Sequence, residues 1–265
     1  MGTSIVVVGA DGRMGRTIVG IAGEEGSTYA LAGVVDSPDR LEALKSRCSG
    51  ICPVGDSLEA VLPAAGQAVI IDFSTPSASL AAARVAAGSG HGLVVGTTGL
   101  NRDQRGELAR LAEKTPIFWA SNMSVGVNAL RRILPLLAKA LGEDYDMEVM
   151  EIHHRHKKDS PSGTALALGE TLADARGWNL DEVRCSGRDG LVGARPHRQI
   201  GVQALRGGDV VGVHTVYFLG RGERIEVTHH AHSRETFARG ALRAAAWLSG
   251  QAPGKLYGME DMLQS

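Results

Sequence analysis

Ser4-Ile5-Val6-Val7-Val8, running into Gly9-Ala10-Asp11-Gly12-Arg13-Met14-Gly15-Arg16, decides the fold. The short continuous apolar run is the type expected of a strand buried on both faces of a parallel sheet. Thr17, Ile18 and Ile21 then follow a helical spacing. Strand, glycine turn and helix form the context of a dinucleotide fingerprint, here spaced G-x-x-G-x-x-G because Asp11 stands where the commoner motif has its middle glycine. A second strand, Tyr29 to Val35, ends in Asp36, 21 residues beyond Gly15, the spacing of a carboxylate that holds an adenine ribose diol. Asp36 disfavours a 2′-phosphate by like charge, while Ser37, Arg40, Arg13 and Arg16 are near enough in sequence to receive one, so the expected cofactor is NADH or NADPH.

The same pattern continues. A strand at 68–72 leads through Phe73-Ser74-Thr75 to a helix at 76–87, and a strand at 93–95 ends in Gly96-Thr97-Thr98-Gly99 before a helix at 103–114. Pro116 to Ala120 is a further strand, closing on Ser121-Asn122-Met123-Ser124. Ligands of open parallel sheets lie beyond the carboxyl ends of the strands, which brings Gly96, Thr97 and Thr98 into consideration beside the alternative of an ordinary turn. After a helical stretch at 127–141 the texture changes to alternating strands at 147–152, 200–205, 210–218 and 224–230, with Gly207-Gly208-Asp209 and Gly220-Arg221-Gly222 as turns between the later ones. Alternation implies a sheet with one face on its own helices; the other, carrying Val211, Val213, Thr215 and Tyr217 or their neighbours, is a candidate subunit interface. Residues 176–199 look like a long polar loop, and a helix at 234–248 precedes a short turn at 259–263. The expected fold is α/β: a Rossmann-like dinucleotide-binding domain from 1–124 and 234–265, interrupted by an α+β domain at 125–233 with a mixed, mostly antiparallel sheet.

Composition narrows the function. A net charge of −1 argues against general affinity for nucleic acid or anionic membrane. No apolar run approaches the ~20 residues of a membrane span. The first strand begins with no basic segment ahead of it, so no signal peptide is expected. Cys48, Cys52 and Cys185, an odd number without a CxxC pair, imply free thiols and a cytoplasmic protein.

Chemistry concentrates in Glu151 to Ala165, EIHHRHKKDSPSGTA. His154 and His156, at i, i+2 with Asp159 nearby, could be read as metal ligands, but Lys157 and Lys158 would repel a cation, so no metal is expected. A solvated strand end before a capped helix is the plain alternative. The third reading places His153, His154 and Lys157 at a strand end facing a helix start, Ser162-Gly163-Thr164, where backbone N–H groups are expected to attract carboxylates. Hydride addition to a C=N or conjugated C=C bond leaves negative charge to be protonated, which a histidine or lysine can do. His229, His230 and His232 read as partly exposed strand-end residues, Cys185, Trp119 and Trp247 as packing residues. Ser160 and Ser162 lack a hydrolase's base and orienter.

GADGRMGR at 9–16, DFSTP at 72–76, VVGTTG at 94–99, SNMSVGVN at 121–128, EIHHRHKKDSPSGTA at 151–165 and LRGGDVVGVHTV at 205–216 together resemble the 4-hydroxy-tetrahydrodipicolinate (dihydrodipicolinate) reductase family. The resemblance extends through GERIEVTHHAHSRETFARGALRAAAWL at 222–248. It implies dehydration of a hydroxylated ring dicarboxylate and reduction of the conjugated imine by NADH or NADPH to tetrahydrodipicolinate, for lysine and diaminopimelate synthesis. By motif, His153 matches the proton donor/acceptor and Lys157 the proton donor. His154, Ser162, Gly163 and Thr164 match the substrate-binding positions. Gly9, Ala10, Asp11, Gly12, Arg13 and Met14 match the pyrophosphate turn and Asp36 the ribose ligand. Gly96, Thr97 and Thr98, with Ala120, Ser121, Asn122 and Met123, match the nicotinamide side. The resemblance further implies a homotetramer built through 125–233. Many relatives carry glycine at Asp11, phenylalanine at Met123 and arginine at Ser37.

Overall fold

The structure, a computed structural model, describes residues 2–264. It divides into two compact units, Met1–Val125 with Arg234–Ser265, and Gly126–Ser233.

The first unit is built on strands β1 (Thr3–Val8), β2 (Tyr29–Val35), β3 (Val54–Gly55), β4 (Val69–Asp72), β5 (Gly92–Val95) and β6 (Ile117–Trp119). The second contributes β7 (Asp146–His153), β8 (Arg184–Cys185), β9 (Ile200–Arg206), β10 (Gly212–Leu219) and β11 (Arg224–Ala231), after which the chain returns to the first with β12 (Leu256–Tyr257). The first sheet has the order β12-β6-β5-β4-β1-β2-β3 and all its pairings are parallel. Ile5 and Val7 face a core shared with helices Arg13–Ala22, Leu41–Cys48 and Glu235–Leu248, while Val6 and Val8 face a second core under helices Leu58–Ala65, Pro76–Ser89 and Arg102–Leu111. Both faces are buried, which is why β1 needs apolar side chains without a break. Helix Arg13–Ala22 buries Gly15, Ile18, Ile21 and Ala22, the i, i+3, i+4 stripe of an amphipathic helix.

In the second unit the order is β11-β10-β7-β9-β8. β10 pairs antiparallel with β7 and β11, whereas β9 pairs parallel with β7 and β8. Helix Gly163–Ala175 is the crossover between parallel β7 and β9. Met147, Val149, Ile200, Val202, Val216 and Phe218 pack beneath it and against Leu134 and Ala138 of helix Val125–Leu141.

The Gly207-Gly208-Asp209 segment therefore does not make a hairpin between adjacent strands, because β7 lies between β9 and β10. It arches over the end of β7, where Gly207 N donates to His153 O at 3.0 Å, Arg155 N to Gly208 O at 3.2 Å and His154 N to Val210 O at 2.7 Å. The stretch 176–199 is also not wholly a loop: Asn179 caps a one-turn helix, Leu180–Val183, and β8 follows. No helix among the described residues is long and apolar enough to cross a membrane.

Candidate active site

In the first unit the glycine turn is bare backbone. Gly9 has φ +72°, a conformation L side chains rarely adopt, and a Cβ there would lie 2.8 Å from Phe73 O. A Cβ on Gly15 would penetrate Gly9 O, so that glycine lets the helix approach the turn. Gly12, extended, precedes helix Arg13–Ala22 with no side-chain cap, and no acidic residue stands in the first turn. An uncapped helix start with free N–H groups fits a pyrophosphate. Ala10 is buried, and Met14 packs partly against the core, so both offer backbone rather than side chain.

Asp36 stands at the end of β2, accepting from Asp11 N at 2.7 Å and Ser37 N at 2.8 Å. The Asp11 side chain, 7% exposed, is held by Arg16 at 3.0 Å, Arg40 at 3.6 Å and Arg47. Arg47 belongs to helix Leu41–Cys48.

Asp72, ending β4, is fully buried and receives hydroxyls from Ser74, Ser79 and Thr97. Burial pushes its carboxyl above the usual range, against the pull of those three hydroxyls. Thr97 Oγ1 also accepts from Ser74 N at 3.0 Å, so its side chain ties two loops together and only its backbone is left to face a ligand. The Phe73 ring occupies the space a Cβ on Gly96 would need. Thr98 and Ser121 are exposed, and Ala120 and Asn122 are half-buried. Asn122 Oδ1 accepts from Ser124 N at 2.8 Å. Met123 is 2% exposed in the core, and its carbonyl lies where a Cβ on Gly240 would sit, so its thioether is a packing group.

In the second unit the inward residues of β7 run Met147, Val149, Glu151, His153. The first two are core and the last two begin the polar site. Glu151, with no exposed surface, accepts from His153 Nδ1 at 2.6 Å, Ser162 N at 2.9 Å, and Arg206 Nη1 and Nη2 at 2.7 and 2.8 Å. Burial alone would raise its carboxyl; the Arg206 guanidinium, His153 and the Ser162 N–H outweigh it, and the net shift is downward. Burial lowers His153, and Lys157 and Arg206 add to that against the attraction of Glu151, so the net shift is also downward. An ionised Glu151 can only accept, which assigns the Nδ1 proton to His153 and leaves its Nε2 as the free base position.

Ser162 is buried. Its Oγ accepts from Ala165 N at 3.2 Å and meets His214 Nε2 at 3.1 Å, so this side chain is a helix cap rather than a ligand group. Gly163, by contrast, is exposed, with open space where a Cβ would sit, and Thr164 is half-buried beside it. His214 lies edge to face with His153, ring centroids 5.1 Å apart, and burial with the neighbouring His153 pushes it down to about 4. His154 has a buried Nδ1 without a hydrogen-bond partner among the described residues. Lys157, with a side chain 21% exposed, pairs with Asp159 at 2.9 Å.

The sequence alone does not single out Glu151, Arg206 or His214 as site residues. A signal existed: Glu151 shares strand parity with Met147 and Val149, and a carboxylate on a core face must have partners.

The comparisons with known proteins agree along the chain. The family model described as dihydrodipicolinate reductase, N-terminus, matches residues 3–123, and that described as dihydrodipicolinate reductase, C-terminus, matches 126–263. The 4-hydroxy-tetrahydrodipicolinate reductase of Desulfovibrio desulfuricans is 66% identical over 262 residues, covering 99% of this chain and 100% of the relative. That of Myxococcus xanthus is 48% identical over 263 residues, 97% and 96% of the two chains. Among solved structures, a dipicolinate-bound dihydrodipicolinate reductase from Paenisporosarcina sp. TG-14 superposes with a TM-score of 0.78 at 23% identity, covering 98% of this chain and 99% of that one. Scyllo-inositol dehydrogenase from Lactobacillus casei shares the fold at a TM-score of 0.59 and 13% identity, covering 100% and 94%. With both halves matched and relatives of high identity running its whole length, the chain belongs to the dihydrodipicolinate reductase family.

Proposed function

We propose that this chain reduces 4-hydroxy-tetrahydrodipicolinate, through dihydrodipicolinate with loss of water, to tetrahydrodipicolinate in lysine and diaminopimelate synthesis, using NADH or NADPH. A bound nicotinamide supplies the hydride. The observation that carries the reading is an imidazole oriented by Glu151 at the end of β7, followed within one turn of chain by the Lys157 ammonium and then by an exposed helix start.

Glu151 orients His153 so that its Nε2 can take and return a proton, and the depressed basicity keeps that imidazole neutral at physiological pH. Lys157, held by Asp159, is the acid that protonates the carbon or nitrogen made electron-rich by reduction. Gly163 and Thr164 at the start of helix Gly163–Ala175, with His154, bind the carboxylates through N–H and imidazole donors. In the first unit Gly9, Gly12, Arg13 and Met14 cradle the pyrophosphate by backbone, and Asp36 takes the ribose. Gly96 to Thr98 and Ala120 to Asn122 line the nicotinamide side.

Purified protein should oxidise NADH or NADPH only when 4-hydroxy-tetrahydrodipicolinate is supplied. His153→Ala and Lys157→Ala should each lower kcat by about 10²–10⁴ while cofactor affinity stays unchanged. Full turnover by both variants would remove these roles.

Assembly and location belong to the same proposal. The outward face of the second sheet places Ile152 beside Val213 and Leu205, and Met150 beside Thr215 and Gln203. Leu205 is 51% exposed there, a surface suited to pairing two sheets in a homotetramer. Free Cys48, Cys52 and Cys185 accord with a reducing cytoplasm.

A further inference from the structure

Three guanidiniums from three separate elements converge on one carboxylate in the first unit. Arg16 comes from helix Arg13–Ala22, Arg40 from the 3₁₀ turn Pro38–Arg40 after β2, and Arg47 from helix Leu41–Cys48. Asp11 is 7% exposed, while the arginine side chains retain 57%, 48% and 39% of their surface. The carboxylate is thus sunk beneath the cluster, and the cations keep an open side. Arg16 is fixed further by a 2.8 Å bond from its Nε to Asp11 O. Because Asp11 N also donates to Asp36, the cluster lies immediately beside the carboxylate that ends β2.

In this fold the acidic residue at that strand end takes the ribose 2′-hydroxyl of NAD, and a nearby arginine accommodates the 2′-phosphate of NADP. We propose that Asp11 sets the nucleotide preference: it occupies the guanidiniums that would grip a 2′-phosphate and adds a second negative charge beside Asp36, so that NADH is favoured. The inference rests on the cofactor site described under the proposed function.

Three cations against Asp11 and Asp36 leave a net local charge of +1, so NADPH is weakened rather than excluded. Asp11→Asn preserves shape and the N–H that meets Asp36, but removes one charge and frees the arginines. The loss of one like charge near a doubly charged phosphate at a hydrated surface should tighten NADPH on the order of tenfold. NADH, which lacks that phosphate, should change by less than about twofold.

The test is calorimetric titration of the full-length protein with NADH and with NADPH, alongside a thermal melt of each variant. Wild type should bind NADH more tightly, Asp11→Asn should narrow or invert the ratio, and Asp11→Glu should retain the wild-type order. Arg47→Ala should cost more NADPH affinity in the Asp11→Asn background than in wild type, where Asp11 already engages that side chain. Tighter binding of NADPH by wild type would overturn the proposal whether or not Asp11→Asn folds. An unchanged ratio in Asp11→Asn, or equal weakening of both nucleotides with a lowered melting temperature, would also overturn it and leave Asp11 a structural carboxylate. If wild type bound neither nucleotide, the cofactor site itself would fall and this inference with it, an outcome distinct from an altered ratio.

Discussion

Glu151→Gln removes the charge at the centre of the β7 site without removing volume. The native carboxylate accepts four hydrogen bonds, two on each oxygen. Glutamine retains one acceptor oxygen, so in either orientation its NH₂ opposes two donors: His153 Nδ1 and Arg206 Nη1, or Ser162 N and Arg206 Nη2. Breaking a buried ion pair costs about 3–5 kcal/mol; Arg206, 21% exposed, recovers some hydration, which places the loss near the lower end, about 3 kcal/mol. Urea unfolding followed by Trp178, which packs on the second unit's core, in a Trp119→Phe/Trp247→Phe background should show a midpoint lower by roughly 1–2 M. The folded pKa of Glu151 is depressed, so its stabilisation is complete above the unfolded carboxylate value and disappears as pH falls through the folded one. The difference between wild type and variant should therefore hold from neutrality to about pH 4.3 and close below it. Since Glu151 is what holds His153 up against burial, NMR titration should find His153 lowered further in the variant. A stability difference under about 1 kcal/mol, or a raised His153, would refute this account of the network.

Gly15→Ala should destabilise by about 1–3 kcal/mol, because its methyl meets the immobile backbone of Gly9 and Ala10. Gly20→Ala in the same helix has open space and should stabilise by about 0.5–1 kcal/mol; equal thermal shifts for the two would contradict the packing argument. His214, pushed down to about 4, should show no NMR titration between pH 8 and 5.5. Its neutral form stabilises the fold above the ordinary histidine value, and that contribution is lost as pH falls through about 4; a midpoint above 6 would refute it.

The first sheet was legible because each of its main strands must be apolar on both faces and each turn must carry glycine or a small polar residue. Val6 and Val7 point to opposite cores, as a continuous apolar run on a strand between two helix layers must. What escaped was governed by long-range contact. Val54–Gly55 is too short to register, and helix Leu58–Ala65 contains Pro63 near its end. Gly207-Gly208-Asp209 has the composition of a hairpin, and only the pairing of β7 with both β9 and β10 shows that it bridges over another strand. At the site, His153 and Lys157 carry local signals of charge and position. Arg206, 55 residues from Glu151, and Arg47, 36 residues from Asp11, become visible only when the chain has folded back. Met123 and Ser162 illustrate the converse: their neighbours in sequence mark a binding segment, but their side chains are consumed by core and cap.

The return of the chain to its first unit bears on synthesis. Ala238, Ala241, Leu242, Ala245, Leu248 and Met262 share one face of the first sheet with helices Arg13–Ala22 and Leu41–Cys48, and Leu256–Tyr257 extends the sheet beside β6. A ribosome makes β1 first and these covering residues last. The contiguous second unit can therefore complete its own core on the nascent chain, while the earlier-made sheet waits with part of one hydrophobic side uncovered until the segment that follows Ser233 emerges.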